Sequence, residues 1–316
     1  MSNTAAPPVL VVLDRADEGS ALARGRRLAQ ALGAPLELFT VEFDQAMEGS
    51  HFRVTERLEA ARAARVDASG TWLESLAEPL RAEGLQVSVE AVYANPPHEA
   101  VARRALATHA LITIVRTHHH PWLARTTLSA ADWQLIRVCP SPLLLAKGRD
   151  WAPEPRLLAA VDPSHRDDRH ALLDHAILDL ADRLAAALGA TADVAHCVLS
   201  MAALESTAAL AMMPEALGTP PEDYARELKR QARDNVRALV AQHGLPESAL
   251  HVLEGRPERE LPRLAKKIGA DVLLTGGISR SRVEQVFIGG TAERLLDQAN
   301  CDLLVVKPPG FVCPLG

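Results

Sequence analysis

The sequence is poor in aromatic residues and has no excess of basic side chains. Its 316 residues include 4 Trp, 2 Tyr and 5 Phe, and its 34 Lys and Arg residues are outnumbered by 40 Asp and Glu residues. Proteins that bind nucleic acid need a basic surface, and many also stack aromatic rings on the bases. We therefore expect no nucleic-acid partner.

Cysteine is also scarce, and long apolar runs are missing. Cys139, Cys197, Cys301 and Cys313 lie far apart and form no CxxC pair, which argues against a disulfide framework or a zinc ribbon and suits a reducing compartment. No apolar run approaches the ~20 residues that span a bilayer, and residues 1–8 lack the features of a signal peptide. We expect a cytoplasmic protein with no membrane span.

The main feature that the sequence does contain is an internal repeat. Residues 9–14 and 157–162 are apolar runs that end in aspartate, and each precedes a helical pattern closed by a glycine, Gly33 or Gly189. Four further strand-like runs follow in each half, at residues 36–41, 87–92, 111–115 and 143–145 and at residues 193–199, 250–253, 272–274 and 303–306.

This alternation predicts an α/β protein of two tandem doubly wound domains, each with a five-stranded parallel sheet. The expected domains are residues 1–150 and 151–316, joined by a proline-containing linker near residues 148–155. Ligands of such sheets bind beyond the carboxyl ends of the strands, where the strand order reverses. Asp14 and Asp162, which follow the first strand of each half, therefore mark two candidate sites.

A glycine-containing segment follows the fourth strand pattern of the second half. It includes Gly276, Ser279, Gly289, Gly290 and Thr291. This segment resembles the universal stress protein signature, which reads glycine, two residues, glycine, nine residues, glycine, then usually Ser or Thr. Ser279 stands in place of the second glycine, Gly290 in place of the Ser or Thr, and Thr291 follows one position late.

The duplicated layout and the two segments around Cys139 and Cys301 resemble the tandem-domain, E-type members of this family over almost the whole chain. The resemblance implies a Rossmann-like fold of the adenine nucleotide alpha hydrolase-like type and a regulatory role in the stress response. It also implies an adenine nucleotide, ATP or AMP, with Mg²⁺ accompanying ATP. Asp162 would then lie near the adenosine, and the backbone at Val198 would also contact it.

The glycines have a physical reason that does not depend on the family. Glycine lets the backbone approach a phosphate closely, and amides at a helix N-terminus donate to an anion. The alternative is that this segment only turns the chain between a strand and a helix. The sequence contains no Walker lysine and no evident base that would position water, so we expect a binding protein with at most slow ATP hydrolysis.

The first half lacks the glycines. Aligning Cys139 with Cys301 places Ile114, Thr117, Thr127 and Leu128 opposite Gly276, Ser279, Gly289 and Gly290. Side chains at these positions would block close backbone approach to a phosphate. The N-terminal site is therefore expected to be degenerate, with Asp14 acting as a helix cap.

Two further segments allow other interpretations. His118, His119 and His120 could bind zinc together with other loop histidines, although a solvated polar loop is the simpler explanation. Residues 201–218 are rich in Met and Leu, which suits core packing or a lid over an apolar ligand. A non-nucleotide scaffold, or a carrier of a lipid-like ligand, is therefore the alternative function.

The duplication also predicts how the chain assembles. Pairing the two fifth strands within one chain would cover two sheet edges and make an intramolecular pseudo-dimer, which could dimerise further. We expect the C-terminal tail to lie across the first domain, with Phe311 and Val312 as anchors. Protein clients are expected, but the sequence does not identify them.

Overall fold

The computed structural model describes residues 6–15, 19–47, 55–117, 130–163, 168–198, 221–277, 295 and 298–315. The chain divides into two compact units. The first contains Met1–Arg149 together with Phe311–Gly316, and the second contains Asp150–Gly310. The sequence-based boundaries differ from this division mainly at the C-terminus, because the final residues belong to the first unit.

The first unit is built on a parallel sheet with the order β3-β2-β1-β4-β5. Its strands are β1 (Val9–Val12), β2 (Leu36–Glu42), β3 (Val87–Tyr93), β4 (Ile112–Arg116) and β5 (Leu143–Ala146). Its helices are α1 (Ser20–Leu32), α2 (Thr55–Ala82), α3 (Pro97–Ala107) and α4 (Ala130–Val138), with a 3₁₀ turn at Gln45–Met47.

The second unit repeats this arrangement with the order β10-β9-β6-β7-β8, again parallel. Its strands are β6 (Arg156–Ala160), β7 (Thr191–Val198), β8 (Leu250–Glu254), β9 (Val272–Gly276) and β10 (Asp302–Val306). Its helices are α5 (Asp168–Leu188), α6 (Pro221–Ala241) and α7 (Pro257–Ile268), with a 3₁₀ turn at Glu247–Ala249.

The strands β1, β4, β6 and β9 are mostly buried because helices cover parallel sheets on both faces. Every residue of β5 and β10 is buried, as expected for strands that are apolar without polar alternation. The ends of α1 and α5 follow the sequence pattern: Gly33 and Gly189 both adopt φ 61°, the left-handed conformation that glycine tolerates after a helix. The expectation that Asp14 caps the first helix is wrong, because α1 begins at Ser20 with Gly19 as its N-cap and no side-chain cap bond. The prediction of an α/β fold with doubly wound parallel strands is confirmed.

Buried aspartates fix the start of the second unit. The Trp151 indole nitrogen donates to Asp302 Oδ2 at 2.7 Å, and the Arg156 amide donates to Asp271 Oδ2 at 2.9 Å. Asp271 and Asp302 stand at the starts of β9 and β10, and both are buried. The linker is therefore held by hydrogen bonds to the aspartates at the amino ends of β9 and β10.

The C-terminal tail packs within the first unit through a different residue from the one expected. Val312 is 80% exposed, so the prediction that it anchors the tail is wrong. Cys313 is buried instead, and its thiol donates to the Val138 carbonyl oxygen at 3.3 Å. Arg103 of α3 also donates to the Leu315 carbonyl oxygen at 2.7 Å. None of the helices in the described parts of the chain is long and apolar enough to cross a membrane.

Replacing Cys313 by Ala should destabilise the protein, because it removes a buried sulfur and its hydrogen bond. We expect the free energy of unfolding, measured by urea titration, to fall by about 1–2 kcal/mol. Val312→Ala is the matched control, and we expect a change within about 0.5 kcal/mol because Val312 is exposed. Equal effects of the two substitutions would show that Cys313 does not hold the tail.

Candidate functional site

The candidate site lies at the carboxyl edge of the second sheet, where the strand order reverses. Strand β6 pairs with β7 on one side and with β9 on the other, and all three run parallel. Asp162 follows β6 by two residues, Val198 ends β7, and Gly276 ends β9. The structure thus places these three residues at the ends of three adjacent strands.

The other residues predicted for this site cannot be placed. Ser279, Gly289, Gly290 and Thr291 lie outside the described residues. The same holds for the candidate zinc ligands His118, His119 and His120 and for the Met-rich residues 201–218.

A buried carboxyl group holds the backbone of Asp162. The Asp162 amide donates to Asp174 Oδ1 at 3.0 Å. Asp174 lies 12 residues later in the chain, within α5. The Asp162 side chain remains 31% exposed. This hydrogen bond fixes the backbone, while the side chain remains partly exposed.

Asp174 itself is 6% exposed. Its second oxygen, Oδ2, has no hydrogen-bond partner among the residues that the structure describes. Burial raises the pKa of Asp174 from 3.8 to about 7, the hydrogen bond from the Asp162 amide opposes this rise, and the Asp162 charge adds to it. A protonated carboxyl suits this position, because it leaves no buried charge beside Asp162.

His196 lies next to Asp162 on the neighbouring strand. Its Nδ1 is 3.0 Å from the Val161 carbonyl oxygen, so the Nδ1 proton is donated to that carbonyl. The same nitrogen is 3.8 Å from Asp162 Oδ1, and the ring is 3% exposed. His196 therefore holds the turn after β6 through its hydrogen bond to the Val161 carbonyl oxygen, and its ring is shielded from solvent.

Cys197 is the one thiol near this edge in the described chain, and it is poorly suited to nucleophilic chemistry. Burial raises its pKa to about 12, and the nearby carboxylates of Glu260, Asp162 and Glu258 contribute to the rise. A thiol with such a pKa is not a thiolate at neutral pH. The same carboxylates make this side of the site negative, which favours a ligand that arrives with a cation.

The backbone at Val198 is already partly engaged. Its carbonyl oxygen accepts a hydrogen bond from the Gly255 amide at 2.8 Å. A carbonyl oxygen has two lone pairs, so it can accept a second bond. A ligand contact through this carbonyl would use the second lone pair.

The glycines after β9 have a packing role that the sequence analysis did not anticipate. A Cβ on Gly276 would lie 2.6 Å from Leu173 Cδ2 on α5, and a Cβ on Gly277 would lie 2.6 Å from Val305 Cγ1. Such distances are too short for ordinary contacts. Glycine at position 276 is therefore explained by helix packing, whether or not a phosphate approaches the segment that follows.

The strand registers correct the alignment of the two halves. In the first unit Arg116 pairs with Ala146 at the ends of β4 and β5, and in the second unit Gly276 pairs with Val306 at the ends of β9 and β10. Arg116, and not Ile114, therefore corresponds to Gly276. In the same registers, residue 143 corresponds to residue 303. Residues 140–142 separate Cys139 from residue 143, whereas only residue 302 separates Cys301 from residue 303. Aligning the two cysteines therefore shifts one half by two residues relative to the other.

Sequence reasoning missed Asp174 and His196, which hold the turn around Asp162. The available signal was a polar residue inside an apolar pattern: Asp174 is next to Leu173 on the buried face of α5, and His196 lies within the buried part of β7. In the described parts of the chain, no three His, Cys, Asp or Glu side chains form a group able to hold a metal ion.

The raised pKa of Asp174 should make stability depend on pH. Because the folded-state pKa is above the ordinary value of 3.8, this group's contribution is fully present below about pH 4 and is lost as pH rises through 7. We expect it to lower the free energy of unfolding by roughly 2–3 kcal/mol between pH 5 and pH 8.

Asp174→Asn keeps the acceptor for the Asp162 amide and removes the charge, so it should abolish this component. Urea titrations of both proteins at the two pH values, in metal-free buffer, measure the difference. Asp182→Asn, which removes an exposed carboxylate from the same helix, should behave like the parent protein. A parent protein and an Asp174→Asn variant with the same pH dependence would contradict the buried proton.

Comparison with known proteins agrees with the fold and its duplication. The model of the universal stress protein family matches residues 155–307. The chain is 27% identical over 308 residues to universal stress protein E of Escherichia coli K12, with 97% of this chain and 96% of that protein covered.

Two solved structures from Pseudomonas aeruginosa are similar over 96% of this chain and 94% of theirs. One, a putative universal stress protein from strain UCBPP-PA14, has a TM-score of 0.72 at 26% identity. The other, a functionally unknown protein from strain PAO1, has a TM-score of 0.73 at 25% identity. The family match over residues 155–307 and the similarity along nearly the full length of these proteins agree with the resemblance of both halves of the chain to universal stress proteins.

Proposed function

We propose that the protein is a stress-response regulatory protein that binds one adenine nucleotide, ATP or AMP, in its C-terminal domain. The observation that carries this proposal is the state of Asp162. Its carboxylate is partly exposed at the reversal point of the sheet, while its amide is held by Asp174. Because the backbone that carries it is held, this carboxylate can accept hydrogen bonds from ribose hydroxyls with less loss of conformational freedom than a carboxylate on a mobile loop.

The adjacent strand ends supply the rest of the proposed site. The carbonyl of Val198 has one lone pair left for the adenosine, and the segment from Gly276 through Ser279, Gly289, Gly290 and Thr291 would carry the phosphates. Glycine at positions 289 and 290 leaves the backbone amides accessible to phosphate oxygens. Mg²⁺ would accompany ATP and offset the repulsion between the phosphates and the carboxylates around Cys197.

The chemistry of this edge favours binding over catalysis. The Cys197 thiol is protonated at neutral pH, and His196 is buried with Nδ1 committed to the Val161 carbonyl. Neither side chain is suited to activating a water molecule beside a phosphate. The proposed role is therefore a nucleotide-dependent regulatory module with at most slow ATP hydrolysis.

The first half is proposed to lack a nucleotide. Arg116 and Thr117 occupy the positions of Gly276 and Gly277. The Thr117 amide and hydroxyl both donate to the Ala146 carbonyl oxygen, at 3.0 and 3.1 Å. Thr117 is thus tied to the end of β5, and both positions carry side chains where the second half has glycine.

Titration calorimetry with ATP and Mg²⁺ should give one site per chain. Asp162→Ala should weaken binding about tenfold or more, because hydrogen bonds to a charged group are worth ~1.5–3 kcal/mol. Asp14→Ala, the change at the corresponding position of the first half, is the matched control and should leave the affinity unchanged. A stoichiometry of two would contradict the degenerate first half.

Gly289→Val should abolish nucleotide binding, because a β-branched side chain blocks approach of a phosphate to the backbone. The variant should keep the circular dichroism spectrum and thermal unfolding midpoint of the parent. A folded variant with unchanged affinity would remove this segment from the site. If the parent protein binds no nucleotide, and mass spectrometry of gently purified protein finds a lipid-like molecule, the carrier function replaces this proposal.

A further inference from the structure

Two histidines meet on the second unit, away from the carboxyl edge of its sheet. His175 of α5 and His243, which follows α6, approach each other so that Nδ1 of the first lies 2.9 Å from Nε2 of the second. The ring centroids are 5.1 Å apart. Two imidazole nitrogens therefore point at one another across the gap between two elements.

A carboxylate orients the second ring. Nδ1 of His243 lies 3.0 Å from Asp179 Oδ1, and Asp179 is four residues after His175 on α5. Because Nδ1 of His243 donates its proton to this carboxylate, the lone pair of Nε2 faces His175. An imidazole whose far nitrogen is held by a carboxylate is the usual arrangement of a metal-binding histidine.

The backbone keeps His243 in place. Its amide donates to the Val240 carbonyl oxygen at 3.0 Å in the turn that ends α6, and Gly244 completes the turn at φ 66°. The His243 side chain is 8% exposed, whereas the Asp179 side chain is 72% exposed. The pair is thus anchored from within the unit, and its carboxylate partner reaches solvent.

The spacing fits a metal ion with little rearrangement. Two nitrogens bound to one tetrahedral zinc at ~2.0–2.1 Å lie about 3.3 Å apart, so the 2.9 Å gap needs to open by about 0.4 Å. Small side-chain rotations provide this. A neutral His175 can move its proton from Nδ1 to Nε2, which presents the Nδ1 lone pair with no net loss of a proton.

We propose that His175 and His243 bind one divalent late transition-metal ion, of the zinc, nickel and copper class, with Asp179 orienting His243 and water completing the coordination. Imidazole nitrogen is a ligand that these ions prefer. Asp179 lies on the far side of the His243 ring and is not a ligand. The proposal therefore agrees with the lack of a three-ligand group among the described residues.

The ion would join α5 to the turn that ends α6. The hydrogen bond between the two rings already makes this connection, and two metal–nitrogen bonds would replace it with a stronger one. Because the two nitrogens converge only in the folded unit, the metal binds the folded state and raises its stability. This site and its effect do not depend on the proposed nucleotide.

Zinc binding to the full-length, tag-free protein tests the proposal, with no nucleotide present. After treatment with a chelator, equilibrium dialysis should find a saturable zinc ion that also raises the thermal unfolding midpoint. His175→Asn keeps an amide that can donate to His243 but loses the imidazole ligand. This variant should bind one zinc fewer, or bind it at least tenfold more weakly, and lose the shift in midpoint.

His109→Asn is the matched control, because His109 is exposed and its φ of 50° is one that asparagine tolerates. It should bind zinc like the parent. If His175→Asn folds poorly, His243→Asn replaces it, since an asparagine amide can still donate to Asp179.

Three results would overturn the proposal. One is a parent protein that binds no zinc, and another is a His175→Asn variant that binds zinc like the parent. The third is zinc binding that is lost only when His118, His119 and His120 are all replaced by Ala, which would assign the ion to that tract.

Discussion

The position of β6 between β7 and β9 is the constraint on which the candidate site depends. The chain leaves β6 towards one neighbour and returns later to the other, so the connections after these strands diverge and leave space at the carboxyl edge. Asp162 stands at this point, and its amide donates a hydrogen bond to the buried carboxyl group of Asp174. The turn is therefore held through its backbone, while the Asp162 side chain remains partly exposed.

The glycines of this unit illustrate how one residue can meet two requirements. Gly276 lacks a Cβ because Leu173 of α5 packs against its backbone, and that requirement exists without any ligand. A signature glycine at the end of a strand is thus weaker support for a phosphate site than its pattern suggests. The functional argument therefore depends on Asp162 rather than on Gly276.

The fold was predictable because it depends on patterns that are local in sequence. Apolar runs such as residues 303–306 must be strands covered on both faces, and glycine marks helix ends at positions 33 and 189. The contacts around Asp162 were not predictable, since burial of Asp174 depends on how α5 packs on the sheet. Even the residue-by-residue correspondence of the two halves required the strand registers. The segment between Cys139 and β5, residues 140–142, is longer than its counterpart after Cys301.

The C-terminal tail has a consequence for the order in which the chain folds during synthesis. Most of the first unit leaves the ribosome early, but Cys313 and its neighbours, which belong to that unit, are made only after the second unit. The Val138 carbonyl oxygen can therefore accept the hydrogen bond of Cys313 only after the second unit has been translated, and the same holds for the bond from Arg103 to Leu315, although Arg103 already pairs with Glu99 within α3. Synthesis of the first unit therefore begins before that of the second unit and is completed after it.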